Sequence, residues 1–137
     1  MNGQPDRISE VKKWIDKAEH DLMAAKHMIE LADLTDIVCF HCQQCAEKHL
    51  KAFLFFNDVH FPKTHDLRLL LELAQKHCQL ELKLSDIIPL NRYTIEGRYL
   101  GDWEPISKEE ALNAIEIASS VRDEVRLMLP DELFRNP

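Results

Sequence analysis

Glycine is nearly absent from the chain, and this scarcity limits the folds that the chain can adopt. Only Gly3, Gly97 and Gly101 occur among 137 residues. Tight β-hairpin turns and phosphate-binding loops of the Walker or Rossmann type both need glycine at fixed positions. No segment alternates apolar and polar residues for long, whereas apolar residues recur in steps of three and four. The sequence therefore predicts an all-α protein.

The apolar periodicity predicts five helices separated by short connections. They should cover about residues 8–32, 36–57, 66–77, 85–98 and 107–129. Asp66 is placed to cap the third helix, and Ser107 with Glu110 forms a capping box before the last one. Pro130 should end that helix and leave residues 131–137 as a tail. Because short connections join antiparallel neighbours, we expect an up-and-down bundle of four main helices plus one short helix.

Length and charge limit the classes of protein to which the chain can belong. The chain should form a single domain over residues 1–137, with its core at about 8–129. Its net charge of −7 argues against wrapping long nucleic acid, which requires an excess of Lys and Arg. No apolar run approaches the roughly 20 residues that span a bilayer, and the first ten residues lack the apolar core of a signal peptide. We therefore expect a cytoplasmic protein that does not enter a membrane.

The second predicted helix carries a compact polar stripe. Gln44, Glu47, Lys48 and Lys51 fall within about 100° of one another at 100° per residue. Their spacings are those of helical neighbours, and Glu47 and Lys51 form a pair in the favourable order. Two interpretations remain open at this point. The stripe is either a solvated helix face or a small surface that binds phosphate, in which Glu47 orients Lys51.

The same helix contains a run of possible metal ligands. Cys39, Cys42, Cys45 and His49 have a spacing that superficially resembles an iron–sulfur motif. However, Cys39 and Cys42 face the predicted core, where a thiol behaves as a small apolar group. The other two share a face with Cys42 and could fill three positions of a zinc site, but no fourth ligand is evident. We therefore predict neither a metal ion nor a cofactor.

A second polar cluster lies between Leu90 and Trp103. It contains Arg92, Tyr93, Arg98 and Tyr99. Guanidinium groups beside aromatic rings suit contacts to both phosphate and base, but such residues can equally pack within a bundle. His65 lies at the start of the third predicted helix, and a histidine there suits either a structural or a catalytic role.

Several short motifs occur in a characteristic order. They are A-x-x-D-L-x-x-A from Ala18, Q-x-x-E-K-x-x-K from Gln44, T-H-D-L from Thr64, and the pair Arg98-Tyr99. Together they resemble the HEPN domain, a helical domain of higher eukaryotes and prokaryotes, over about residues 10–129. The resemblance implies a helical bundle, commonly a homodimer, that binds nucleotides or processes RNA. It also implies a small nucleotidyltransferase partner in a toxin–antitoxin or related pair.

The sequence departs from the ribonuclease members of that family. In those members an arginine is followed by a histidine after four to six intervening residues. No arginine of this chain has a histidine at that distance. In addition, Leu100 stands where relatives often have proline after the Arg-Tyr pair. The resemblance therefore implies a non-catalytic HEPN protein that binds an ATP-like nucleotide, a nucleotidyltransferase partner, or both.

The resemblance and the polar stripe together predict the site. The predicted nucleotide- and phosphate-binding residues are Gln44, Glu47, Lys48, Lys51, His65, Arg98 and Tyr99. The two lysines and Arg98 would contact phosphate, while Tyr99 would stack or pack. Two alternatives stay open: a ribonuclease toxin with an atypical site built from Arg98 and His65, and a structural module for protein interaction. Binding of RNA is left open as well.

Overall fold

A computed structural model describes residues 4–31, 33–77, 79–94 and 105–134. The α-helices are α1 (Gln4–Met28), α2 (Thr35–Phe56), α3 (Leu67–His77), α4 (Leu84–Ile87) and α5 (Lys108–Leu127). Two 3-10 segments, Ile88–Tyr93 and Asp131–Phe134, complete the described elements. These ranges contain no β-strand, and the predicted all-α bundle is confirmed. They also contain no helix with the length and apolar character needed to cross a membrane.

α2 is the central helix of the bundle. It packs against α1, α3, α5 and the segment Ile88–Tyr93. Cys39, Cys42, Leu50 and Phe53 all lie in the core, as predicted for the two cysteines. Because neighbours cover α2 on several sides, its polar residues are also drawn toward the interior. The position of α2 therefore determines which polar side chains reach solvent.

The start of α3 is held by side-chain caps. Asp66 Oδ1 accepts a hydrogen bond from the amide of Arg68 at 3.0 Å, which confirms the predicted cap. Asn91 adds a second cap, because its Oδ1 accepts from the amide of Leu67 at 2.8 Å. The Asn91 amide also donates to Asp66 at 2.8 Å. These contacts fix the connection that precedes α3, including His65, relative to the rest of the bundle.

The predicted fourth helix differs from the structure in its described part. One continuous helix over residues 85–98 is wrong, because α4 has only four residues and is followed by the 3-10 segment Ile88–Tyr93. Pro89 explains the change, since it has no amide hydrogen and lies in the first turn of that segment. Thr94 then has extended backbone angles. Residues 95–98 lie outside the described ranges.

α5 begins with one half of the predicted capping box. Ser107 Oγ accepts from the amide of Glu110 at 3.0 Å. The reciprocal half does not form as predicted, because the Glu110 carboxylate accepts a hydrogen bond from the Tyr93 hydroxyl and lies 3.4 Å from Arg92. Burial and the hydrogen bond to Glu110 both raise the pKa of Tyr93, so its hydroxyl keeps its proton. Glu110 therefore connects α5 to the Ile88–Tyr93 segment.

The end of the described chain is part of the fold. Residues 131–134 were expected to belong to a tail, and this prediction is wrong. They form a 3-10 turn that packs against α1, and Leu133 is buried. Pro130 does end α5 in the predicted region, but the chain then folds back because Leu133 can fill an apolar position in the core.

Candidate functional site

Glu47 is the centre of the polar stripe, and it is only 3% exposed. Its carboxylate accepts hydrogen bonds from Gln43 Nε2 at 3.0 Å and from Lys51 Nζ at 2.9 Å. His65 Nδ1 lies 3.0 and 3.1 Å from the two carboxylate oxygens. Burial by itself would raise the pKa of Glu47, but the hydrogen bonds from Lys51, Gln43 and His65 hold it below its ordinary value of 4.5. Glu47 is therefore ionised at neutral pH.

Lys51 is enclosed together with Glu47. It is 7% exposed, and its Nζ lies 5.8 Å from the ring centroid of Trp14 and 5.9 Å from that of Phe61. Such aromatic faces attract an ammonium group. Glu47 does orient Lys51, as predicted. The interpretation of the stripe as a solvated helix face is wrong for Glu47 and Lys51, because the rings of Trp14 and Phe61 cover the ammonium group of Lys51.

Two neighbouring glutamines extend the network around Glu47. Gln43 is buried and also donates to the backbone oxygen of His65 at 3.1 Å. Gln44 is partly exposed and donates to Gln43 Oε1 at 2.7 Å. Gln43 was not among the predicted site residues, because its place on the helical wheel lies outside the compact stripe. Its amide ties α2 to the connection before α3 and holds His65 beside Glu47.

A second carboxylate, Asp21 of α1, anchors another basic pair. Its Oδ1 lies 2.8 Å from His41 Nδ1, and its Oδ2 accepts from Lys48 Nζ at 2.7 Å. Asp21 is buried, while His41 and Lys48 are partly exposed. The prediction did not include Asp21, although the sequence contains a signal. This signal is a lone carboxylate beside Leu22, within the apolar stripe of α1.

The polar residues of α2 that remain accessible to solvent lie along one side of the helix. We define the α2 strip as His41, Gln44 and Lys48, together with His65, which adjoins Glu47. The first three are separated by three and four positions and lie on one side of the helix. The His65 side chain is 49% exposed. The strip therefore presents imidazole and ammonium groups outward, with the Gln44 side chain between them, while the carboxylates Asp21 and Glu47 lie beneath.

An interior cluster lies on another side of α2. Glu19 Oε2 accepts from Arg122 Nε at 2.6 Å and lies 3.3 Å from His49 Nε2. His49 is fully buried, and its Nδ1 lies 2.9 Å from the backbone oxygen of Cys45. Burial by itself would raise the pKa of Glu19, but the hydrogen bonds from His49 and Arg122 lower it below the ordinary value. We call these residues the Glu19 cluster, and they join α1, α2 and α5.

The cysteine run is a core feature in the described structure. Cys45 Sγ lies 3.4 Å from His49 Nδ1 on the same helix. Burial raises the pKa of Cys42 to about 12 and that of Cys45 well above its ordinary value. These buried thiols therefore keep their protons at neutral pH. In the part of the chain that the structure describes, no three His, Cys, Asp or Glu side chains are grouped to hold a metal ion.

The structure brings most of the described predicted residues together. Gln44, Glu47, Lys51 and His65 form one hydrogen-bonded network. Lys48 lies beside them but is paired with Asp21. Arg98 and Tyr99 lie outside the described residues, and their places in the site stay predictions.

The protein belongs to the HEPN domain family, whose model matches residues 11–128. It is similar to the candidate toxin MJ1304 of Methanocaldococcus jannaschii, with 29% identity over 142 aligned positions that cover 91% of each chain. It is also similar to the crystal structure of ST0689, an archaeal HEPN homologue, with a TM-score of 0.67 and 26% identity. That match covers 86% of this chain and 96% of the other. The predicted family is confirmed.

Proposed function

We propose that this protein is a non-catalytic HEPN protein that binds the phosphates of an ATP-like nucleotide on the α2 strip. One observation carries the proposal: Gln44 lies between two carboxylate-anchored basic groups, Lys48 on Asp21 and His65 on Glu47. Phosphate oxygens accept hydrogen bonds from imidazole and ammonium groups, and the strip provides both. The carboxylates lie beneath these donors, where they fix their orientation without facing the ligand.

Burial assigns different roles to the two lysines. Lys48 is partly exposed and would contact phosphate directly, together with Gln44 and His65. Lys51 is nearly buried, so it would support Glu47 rather than reach the ligand. Arg98 and Tyr99 complete the proposed site, with the guanidinium on phosphate and the aromatic ring stacked on the base.

Calorimetric titration with ATP tests this proposal. Lys48→Gln and Gln44→Ala should each weaken binding by about tenfold, since a lost charged or amide contact corresponds to roughly 1.4 kcal/mol. Lys76→Gln is the matched control, because Lys76 is an exposed lysine at the far end of α3. Absence of ATP binding by the wild type would overturn the proposal. Binding that is unchanged in both strip variants would overturn the assignment of the strip.

We also infer that the protein acts with a small nucleotidyltransferase as one half of a toxin–antitoxin pair, and that it forms a homodimer. Family membership and the similarity to a candidate toxin support this inference. Co-expression with the nucleotidyltransferase of a neighbouring reading frame should yield a complex of defined stoichiometry in sedimentation. Separate sedimentation of the two proteins would contradict the inference. A complex without ATP binding would instead indicate an interaction module.

A ribonuclease function is the second candidate, and the His65–Glu47 pair favours it. A carboxylate on one imidazole nitrogen orients a general base, and cleavage at a ribose 2′-hydroxyl requires such a base and a nearby cation such as Arg98. Incubation of the wild type with RNA should then give cleavage products that His65→Ala does not give. No cleavage by the wild type would remove this candidate.

A further inference from the structure

The outward side of α5 is lined by three adjoining cavities. The largest, about 580 Å³, lies between α5 and the α4 region. A cavity of about 460 Å³ meets it at Asn113 and Glu116, and one of about 380 Å³ meets it at Asp123. They follow the helix from Ser107 to Leu127, or roughly 30 Å at 1.5 Å per residue. We call this surface the α5 groove.

The floor of the α5 groove is apolar. Ile117 and Val121 line it from α5, and Ile87 lines it from α4. Large apolar side chains also stand open to solvent along the groove: Leu112 is 46% exposed and Leu127 is 76% exposed. Single exposed apolar residues are common, but several along one groove are typical of an interaction surface.

The rim of the groove is acidic. In the described part of the chain, the largest cavity is lined by five carboxylates and by no lysine, arginine or histidine. Among the same residues, Glu81, Asp86 and Glu116 have no ion-pair partner, unlike Asp21 and Glu47 beneath the α2 strip. Arg126 lines only the distal cavity, where it lies over the ring of Phe134 at 4.8 Å.

We propose that the α5 groove docks a basic amphipathic helix of a partner protein. Apolar side chains of that helix would cover the groove floor, and its lysines or arginines would face the rim. A helix of about five turns matches the length of the groove. A second copy related by two-fold symmetry would place the acidic rim against itself, and nucleic acid would bring further negative charge. This docking function is separate from the proposed nucleotide site.

Fluorescence anisotropy with two designed peptides tests the docking. One labelled 18-residue peptide carries leucine and lysine in a helical amphipathic pattern, and its partner carries glutamate in place of lysine. The wild type should bind the lysine peptide at least roughly tenfold more tightly, and less tightly at higher salt. The triple variant Glu81→Gln/Asp86→Asn/Glu116→Gln should lose about tenfold or more of that affinity.

A matched variant separates the groove from general electrostatic attraction. Asp6→Asn/Glu10→Gln/Asp16→Asn removes three exposed carboxylates from α1 and should leave peptide affinity unchanged. An equal loss in both triple variants would overturn the proposal. So would unchanged binding by Ile117→Asp, provided that circular dichroism shows a folded protein. If the wild type self-associates and Leu127→Asp does not, the occupant is a second copy and the proposal is wrong.

Discussion

The Glu47 network and the Glu19 cluster use similar groups on nearly opposite sides of α2. Glu47 and His49 are two residues apart, or about 200° around the helix. Each cluster joins a carboxylate to a histidine and to a lysine or an arginine. They differ in access: His49 is fully buried, whereas His65 is half-exposed. Burial of the histidine, rather than the set of residues, therefore separates the internal Glu19 cluster from the proposed binding surface.

Both ring nitrogens of the buried His49 have partners inside the bundle. Nδ1 lies 2.9 Å from the carbonyl oxygen of Cys45, and Nε2 lies 3.3 Å from a Glu19 oxygen. Both contacts lie inside the bundle, and Glu19 also accepts a hydrogen bond from Arg122 Nε at 2.6 Å. The Glu19 cluster therefore holds three helices together by charge-assisted hydrogen bonds.

The largest expected effect on stability comes from removing Glu47, the centre of the Glu47 network. Glu47→Ala should lower the free energy of unfolding by about 3–5 kcal/mol, because buried Lys51 loses its carboxylate partner. Urea denaturation measures the change. Glu30→Ala is the control, since this carboxylate is exposed and should contribute less than about 1 kcal/mol. Similar values for the two variants would show that Glu47 and Lys51 are not a buried pair.

Substitution of His49 and of His65 tests the difference between the two clusters directly. His49→Gln should cost about 1.5–3 kcal/mol of unfolding free energy, because a buried hydrogen bond to a charged group is lost. His65→Gln should cost less than about 1 kcal/mol, since solvent can replace its contact. In ATP titration the order should reverse, with weaker binding only for His65→Gln. Equal effects of the two variants in either measurement would break the proposed division.

Acid should weaken both clusters. The pKa values of Glu47 and Glu19 are lowered in the folded state, so each carboxylate stabilises the fold above its ordinary value of 4.5. That contribution is lost as the pH falls through the lower folded-state value. Thermal unfolding from pH 7 to pH 3 should show the loss, and Glu47→Gln should show a shallower dependence on pH. The effect should be smaller than that of Glu47→Ala, because a protonated carboxyl still forms hydrogen bonds.

The smallest expected effect concerns the cysteines of α2. Cys42 and Cys45 are buried thiols with raised pKa values, so they should not react with a thiol reagent in the folded protein. A Cys78→Ser variant removes the cysteine that lies outside the described residues. In this variant, Ellman's reagent should label no thiol before unfolding and all three afterwards. Rapid labelling in the native state would show that the reagent reaches the thiols of α2 and that they are not buried.

The sequence predicts the fold well because helical periodicity is a local property. The apolar steps of α1, α2 and α5 and the caps at Asp66 and Ser107 all depend on nearby residues. The tail prediction failed because the burial of Leu133 depends on α1, far away in the sequence. Asn91 as a cap for α3 was missed for the same reason.

Only part of the membership of the candidate site was predictable, and its exposure was not. The spacing of Gln44, Glu47 and Lys51 indicates that they share a face, and Glu47 does contact Lys51. A helical wheel cannot show that Trp14 and Phe61, from two other segments, lie over the ammonium group of Lys51. The covering of a polar face is a tertiary property, so the stripe alone suggested more exposure than these residues have.

The central position of α2 has a consequence for hydrogen exchange and unfolding. Amide hydrogens of this helix can exchange with deuterium only when neighbouring helices separate, so they should report the global unfolding of the bundle. A ligand that binds to one turn of α2 would then slow exchange along its whole length. The helix would thus convert a contact at the surface into protection of the entire folded unit.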